Sequence, residues 1–220
     1  MPRSDDLYAL PRDLPVPTDD GACRHLAGMP WPNVALRSTS GRLVSLAADE
    51  SAWLVVYFYP RTGLPNEDPP GGLHAWDSIP GVRGCTPQAC AYRDHRAELA
   101  RHGARVFGVS TQDTPYQREV VERLHLPYEL LSDSSLELAN ALQLPTLTVA
   151  GHTVIKRLTL ISRNGRIQTC FYPVFPPDAD ASNVIRFISA VPPSALGSRP
   201  ANGRTRWPDD AASRADPDTT

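Results

Sequence analysis

The sequence predicts an α/β domain with a mostly parallel central sheet, an antiparallel edge hairpin, flanking helices and a small β hairpin in front. Three observations carry this reading. Trp53-Leu-Val-Val-Tyr-Phe-Tyr59 is a continuous apolar and β-branched run with no polar alternation, as expected of a strand buried on both faces. Similar short runs then alternate with helix-like segments, the order that builds a parallel sheet. Finally, Arg163-Asn164-Gly165 separates two β-rich runs, and Asn-Gly in that position is a strong hairpin signal.

Taken in order, Pro32 to Ser40 and Arg42 to Leu46 around Gly41 read as the N-terminal β hairpin, and Trp53 to Tyr59 as the first buried strand. Pro87 to His102 reads as one helix closed by Gly103, with its proline where a first turn tolerates it. Arg105 to Ser110 is a second buried strand, Pro115 to Leu124 a helix, Tyr128 to Leu131 a third strand and Ser134 to Leu142 a short helix. Arg157 to Ser162 and Arg166 to Phe171 form the edge hairpin, and Ala179 to Val191 the last helix. One domain is therefore expected over residues 21–190, after a flexible leader of residues 1–20. The polar, charged stretch 191–220 cannot bury enough surface to offset ordering entropy and reads as a disordered tail. Inside the domain, residues 61–80 form an inserted, proline-rich loop, longer than structureless connections usually are.

Composition narrows the function. With 22 basic against 24 acidic residues, the net charge of −2 gives nucleic-acid binding no electrostatic support. No apolar run reaches the roughly 18 residues of a membrane span, and the first residues lack a signal-peptide core, so a soluble, cytoplasmic protein is expected. Four cysteines are too few for a disulfide scaffold, which leaves structural thiols, metal ligands or redox catalysts.

Cys85 opens a helix in Gly84-Cys-Thr-Pro-Gln-Ala-Cys90, where unpaired N–H groups and the helix dipole favour thiolate. It is the best candidate nucleophile. Cys90 lies five residues on, about 500° around an ideal helix and about 7.5 Å along it, outside disulfide reach unless the first turns unwind. Spacing alone leaves other readings open: both cysteines as core residues, or a zinc site, although His74 and His95 lack the usual ligand spacing. A Cys-x-x-Cys pair is absent. Cys23 and Cys170 have no partner at short spacing and read as structural or incidental.

Several separated motifs then fall in one order: Val55-Val-Tyr-Phe-Tyr-Pro60, Gly84 to Cys90 with Tyr92-Arg93-Asp94, Gly108-Val-Ser-Thr111, Leu131-Ser-Asp133, and Arg157 before Asn164-Gly165. From about Gly21 to Ala190 the chain resembles the Q-type, bacterioferritin-comigratory-protein-like peroxiredoxins. The resemblance implies a thioredoxin-like fold, reduction of hydrogen peroxide and organic hydroperoxides, and turnover with thioredoxin or a similar dithiol, with no cofactor and no metal. Cys85 matches the peroxidatic cysteine, Cys90 the resolving one, and Arg157 the arginine that supports the thiolate. A monomer or weak dimer is expected.

An ordinary thiol of pKa about 8.5 is only about 3% ionised at pH 7, so ionisation alone raises its rate at most about 30-fold. A peroxidase also needs donors for charge developing on the leaving oxygen, which the forked guanidinium of Arg157 can supply. One departure stands out. The family's proline and threonine, seven and three residues before the cysteine, are here Ser78 and Val82. The inserted loop has then split the motif, and Pro60 and Thr62 are the candidates for those roles, with Ser78 a weaker one for the hydroxyl. The loop leaves the carboxyl end of a strand, where ligands enter parallel sheets, so Leu73, Trp76 and Ile79 are expected to dock it as a lid or wall. A contrasting possibility is a peroxide-sensing thiol protein or interaction module on the same fold, with little turnover.

Overall fold

The computed structural model describes residues 6–11 and 13–191. The tail expected over 191–220 thus lies, but for Val191, outside the described residues. The strands are β1 (Ala35–Ser38), β2 (Leu43–Ser45), β3 (Trp53–Phe58), β4 (Ala104–Ser110), β5 (Leu130–Ser132), β6 (Thr146–Val149), β7 (His152–Ile155), β8 (Leu158–Arg163) and β9 (Arg166–Phe171). The helices are α1 (Leu73–Asp77), α2 (Cys85–Asp94), α3 (Arg96–Arg101), α4 (Thr114–Leu124), α5 (Glu137–Ala141) and α6 (Asp180–Ala190). Seven strands form one sheet in the order β2-β1-β5-β4-β3-β8-β9, and β6 and β7 pair separately. The predicted parallel centre is β5-β4-β3. Antiparallel strands extend it on both flanks: β8 and β9 beside β3, and the N-terminal hairpin beside β5.

Every residue of β3 is buried because both its faces are covered. Val55, Tyr57 and Tyr59 face a layer containing α2, α4 and α6, whereas Leu54, Val56 and Phe58 face the chain's N-terminal segment and α5. Tyr57 stacks on Tyr92 of α2, ring centroids 4.6 Å apart. The position opposite Tyr57 in β4 is Gly108, where a Cβ would come within 2.5 Å of the Tyr57 ring. A glycine there is the condition for the tyrosine. The edge turn has Asn164 and Gly165 both at positive φ, 51° and 71°, as its sequence predicts.

Two elements differ from the sequence reading. The helix expected over 87–102 is two, α2 and α3, broken at His95, whose backbone and ring Nδ1 both bond the Ala91 carbonyl and so cap α2. The β6–β7 hairpin was not anticipated; it turns through Ala150 and Gly151, both at positive φ. The inserted loop is also less irregular than expected, since α1 lies within it. There Trp76 is buried with Val82, Val149 and Val154, and Ile79 packs alongside. Its indole N–H donates to the Pro70 carbonyl at 2.8 Å.

Candidate active site

The strand order places three chain segments together at the carboxyl ends of β3 and β4, where parallel sheets receive ligands. β8 runs antiparallel to β3, with Leu158 opposite Phe58, so Arg157 arrives beside the end of β3. Residues 60–63 leave β3, and Gln112 follows β4.

Cys85 is the first residue of α2 and 3% exposed. Gly84 before it has φ 95°, and a Cβ there would come within 2.4 Å of Pro177 and 2.5 Å of Leu10. Only glycine brings the chain into this helix start. Pro87 sits in the first turn, where its missing N–H costs no helical bond.

Arg157, also 3% exposed, donates from Nη2 to Cys85 Sγ at 3.1 Å. The same guanidinium holds three successive carbonyls leading into the helix: Gly81 at 3.2 Å from Nε, and Val82 at 3.2 Å and Arg83 at 2.9 Å from Nη2. Nη1 donates to the Gln88 side-chain oxygen. The Cys85 thiol itself is 3.6 Å from the Val82 carbonyl. Gln88 in turn donates to Asp180 Oδ2 at 2.8 Å, and the same oxygen accepts from Tyr92 OH at 2.8 Å and Thr159 Oγ1 at 2.7 Å. Burial raises the Asp180 carboxyl above its ordinary range despite these donors and Arg157.

Thr62 is 1% exposed and lines one small cleft with Cys85. Its N–H and Oγ1 both donate to Gln112 Oε1 at 2.9 Å, and Gln112 Nε2 returns a bond to the Thr62 carbonyl at 3.2 Å. α4 holds the same segment: Tyr116 OH donates to the Thr62 carbonyl at 3.0 Å, and Arg123 Nη2 to that of Gly63 at 3.0 Å. With its hydroxyl proton committed to Gln112, Thr62 faces the cleft with oxygen lone pairs. The cleft also takes in Val82, Trp76, Leu7 and Ala9, and has a volume of about 30 Å³. That is room for about two waters, or a molecule of that size.

Of the residues singled out by sequence, Cys85, Arg157 and Thr62 therefore converge. Val82 and Trp76 join them, whereas Ser78 is exposed at the end of α1 and Pro60 lines a different cavity. Cys90 is half-buried five residues further along an unbroken α2, and all four cysteines are free thiols. Burial pushes the Cys90 thiol up, with Arg93 and Arg123 opposing and Asp94 adding to it. His74 and His95 meet no such cluster; among the described residues no three His, Cys, Asp or Glu side chains are grouped to hold a metal. Gln88, Gln112 and Asp180 were not foreseen. Gln88 alone carried a signal, lying three residues after Cys85 on the same helical face.

Comparison with known proteins gives the family and the fold. The Redoxin family model matches residues 26–185. A putative chloroplastic peroxiredoxin Q of Oryza sativa subsp. indica is 28% identical over 164 residues, covering 74% of this chain and 67% of the relative. Chloroplastic peroxiredoxin Q of Gentiana triflora is 26% identical over 189 residues, covering 84% and 78%. Among solved structures, peroxidoxin BcpB from Mycobacterium tuberculosis superimposes with TM-score 0.60 at 24% identity, covering 76% of this chain and 97% of that one. Peroxiredoxin Q of Xanthomonas campestris does so with TM-score 0.55 at 21% identity, covering 81% and 96%. With the family model spanning most of the domain, the chain belongs to the redoxin family, as a Q-type peroxiredoxin.

Proposed function

We propose that this chain is a thiol-dependent peroxidase in which Cys85 attacks the peroxide and Cys90 resolves the product. The observation that carries this is the Arg157 Nη2 to Cys85 Sγ contact of 3.1 Å, beside a cleft that Cys85 and Thr62 both line. The Cys85 thiolate forms a bond to one peroxide oxygen, the O–O bond breaks, and the leaving oxygen takes a proton and departs as water or an alcohol. Arg157 serves twice, donating to the sulfur and to the oxygens as negative charge passes across the breaking bond. Thr62 accepts the hydrogen bond of the incoming hydroperoxide and so orients it. Cys85 is left as a sulfenic acid. Cys90 then attacks the Cys85 sulfur and expels water, closing an intramolecular disulfide after α2 unwinds. A thioredoxin-type dithiol reduces it.

Cys85 is tightly enclosed, so hydrogen peroxide fits the cleft whole, whereas an organic hydroperoxide must leave its substituent outside. The chain works in this reading as a monomer or weak dimer in the cytoplasm, where four sparse thiols stay reduced; among the described residues no helix is long and apolar enough to cross a membrane. The test is peroxide-dependent turnover with thioredoxin, its reductase and NADPH. Many equivalents consumed by the wild type and none by Cys85→Ser are expected. Consumption that stops after one equivalent, or that survives Cys85→Ser, overturns the assignment.

A further inference from the structure

The two cysteines that sequence spacing left without partners are brought together by the fold. Cys23 is buried in the layer on the far side of the sheet from Cys85, and Cys170 packs against that same layer. A β-bulge places it there. Along β9, Cys170 pairs with Leu160 and Thr169 with Ile161, but Ser162 pairs with Ile167, so Gln168 is the extra residue. Without the bulge Ile167 and Cys170, an odd number of positions apart, would point to opposite faces. With it, both face the layer that holds Cys23.

From this geometry we propose that Cys23 and Cys170 form a second, separate redox pair, closing a disulfide that fastens the N-terminal segment to the edge strand. The neighbouring Cys23 and burial together raise the Cys170 thiol above its ordinary range. The backbone around them is held in register. Gly28 N–H donates to the Ile167 carbonyl at 2.8 Å and Ile167 N–H to that of Met29 at 2.9 Å, while Lys156 Nζ lies 2.9 Å from Asp20. The two cysteines lie on different segments, so this bridge, unlike that between Cys85 and Cys90, does not have to open a helix that holds both of them.

The oxidant is hydrogen peroxide, the substrate of the main site. Cys23 sulfur attacks one oxygen and the O–O bond breaks. The departing hydroxide takes a proton and leaves as water, giving a sulfenic acid on Cys23. Cys170 sulfur then displaces the hydroxyl, forming the S–S bond, and its own proton leaves with that hydroxyl as a second water. Two thiols lose two electrons and one peroxide is reduced.

The bridge has a consequence for the main site. Leading up to Cys23, Leu7 and Ala9 line the Cys85 cleft, and Val16, Pro17, Thr18 and Asp20 line a larger cavity of about 240 Å³ on the other side of Val82 and Arg157. Fixing residue 23 to β9 fixes the root of the strap that walls both.

The experiment uses full-length Cys85→Ser/Cys90→Ser protein, which removes the main chemistry, so the outcome does not depend on the proposed peroxidase roles. After treatment with excess hydrogen peroxide and quenching with an alkylating agent, peptide mapping is expected to show Cys23 linked to Cys170 within one chain. Both free thiols disappear and return on treatment with dithiothreitol. Oxidation is also expected to raise Tm by about 5–10 °C, as for a bridge that closes a long loop. The same shift is lost on adding either Cys23→Ser or Cys170→Ser. The link is sought in the wild type as well, in case the double variant folds poorly. Two thiols that stay alkylatable, go on to sulfinic acid, or link only between chains overturn the proposal.

Discussion

Replacing Arg157 tests the site most directly, because one side chain both donates to the sulfur and shapes the turn that presents it. Arg157→Met keeps much of the stem's packing and removes every donor. On the chemical side, losing a preorganised donor aimed at developing charge costs about 10²–10³ in rate. Loss of ionisation alone accounts for at most about 30-fold. On the structural side, the carbonyls of Gly81, Val82 and Arg83 and the Gln88 amide oxygen lose their shared partner. At about 1–3 kcal/mol for each buried group left unsatisfied, with partial relief from water entering the cleft, a net loss of about 2–4 kcal/mol is expected. That is a fall in Tm of roughly 5–15 °C. The assay is a single turnover in a Cys90→Ser background, well below the variant's Tm, following Cys85 oxidation from neutral pH to the plateau where thiolate formation is complete. The plateau rate constant of Arg157→Met is expected to be at least about 100-fold lower. Arg157→Lys keeps the charge but not the fork, and is expected to fall between. Plateau rates equal within about threefold would reduce the arginine to an ionisation effect and refute the role given to it.

Four further outcomes follow from named contacts. Cys90→Ser is expected to carry out one turnover and accumulate Cys85 sulfenic acid, and in the wild type oxidation should speed amide exchange across Thr86 to Tyr92; equal protection in both redox states would mean that α2 does not unwind. Trp76→Ala, which opens the cleft wall, is expected to raise the rate for a bulky organic hydroperoxide relative to hydrogen peroxide by at least about threefold, and an unchanged ratio would show that the wall does not select. Glu129 is pushed up by burial, but the hydrogen bonds from Ser38, Ser40 and Arg42 outweigh this and hold its carboxyl below the ordinary 4.5. Its folded value being the lower, its stabilisation is complete above that ordinary value and is lost as pH falls through the folded one. Tm measured from about pH 5 to about pH 3 is therefore expected to fall less steeply in Glu129→Gln, and parallel curves would contradict this.

What the sequence revealed and what it hid divides along the range of the interactions. β3 was legible because a strand covered on both faces needs an unbroken apolar run, and Cys85 because a thiol at a helix start is a local feature. Arg157 and Thr62 were reached through motif order, and the fold brings both toward Cys85, one ahead of β8 and the other after β3. Gln112 gave no signal, since its task depends on Thr62, fifty residues earlier in the chain. Asp180 read as one of many acids until α6 placed it beneath Gln88 and Tyr92. The missed β6–β7 hairpin is a different case. Thr146-Leu-Thr-Val149 and His152-Thr-Val-Ile155 are β-rich runs around a two-residue Ala150-Gly151 turn, so the signal was present but weaker than Asn-Gly. The break at His95 was not visible, because nothing local shows that a side chain will take the Ala91 carbonyl.

The groups that surround Cys85 are also those that oppose its proposed link to Cys90. The unwinding must pass through Gln88 and Ala89, which lie between the two cysteines. Gln88 bonds both Arg157 and Asp180, the Ala89 carbonyl accepts from Tyr128 OH at 2.8 Å, and Tyr92 on the next turn holds Asp180. At about 1 kcal/mol net for each hydrogen bond, releasing these contacts costs about 3–5 kcal/mol before helical bonds are counted, and the stacking of Tyr92 on Tyr57 resists further. A thiolate site must be rigid to align a donor with a breaking O–O bond, and a resolving site five residues away must be loose. In the proposed cycle both demands are met by sequence of events: the contacts of the folded helix serve the first step, and the free energy of forming the S–S bond has to overcome them in the second. On that proposal, attack on peroxide is tied to the folded form of α2 and disulfide formation to its opened form, with Gln88 at the point where the two conflict.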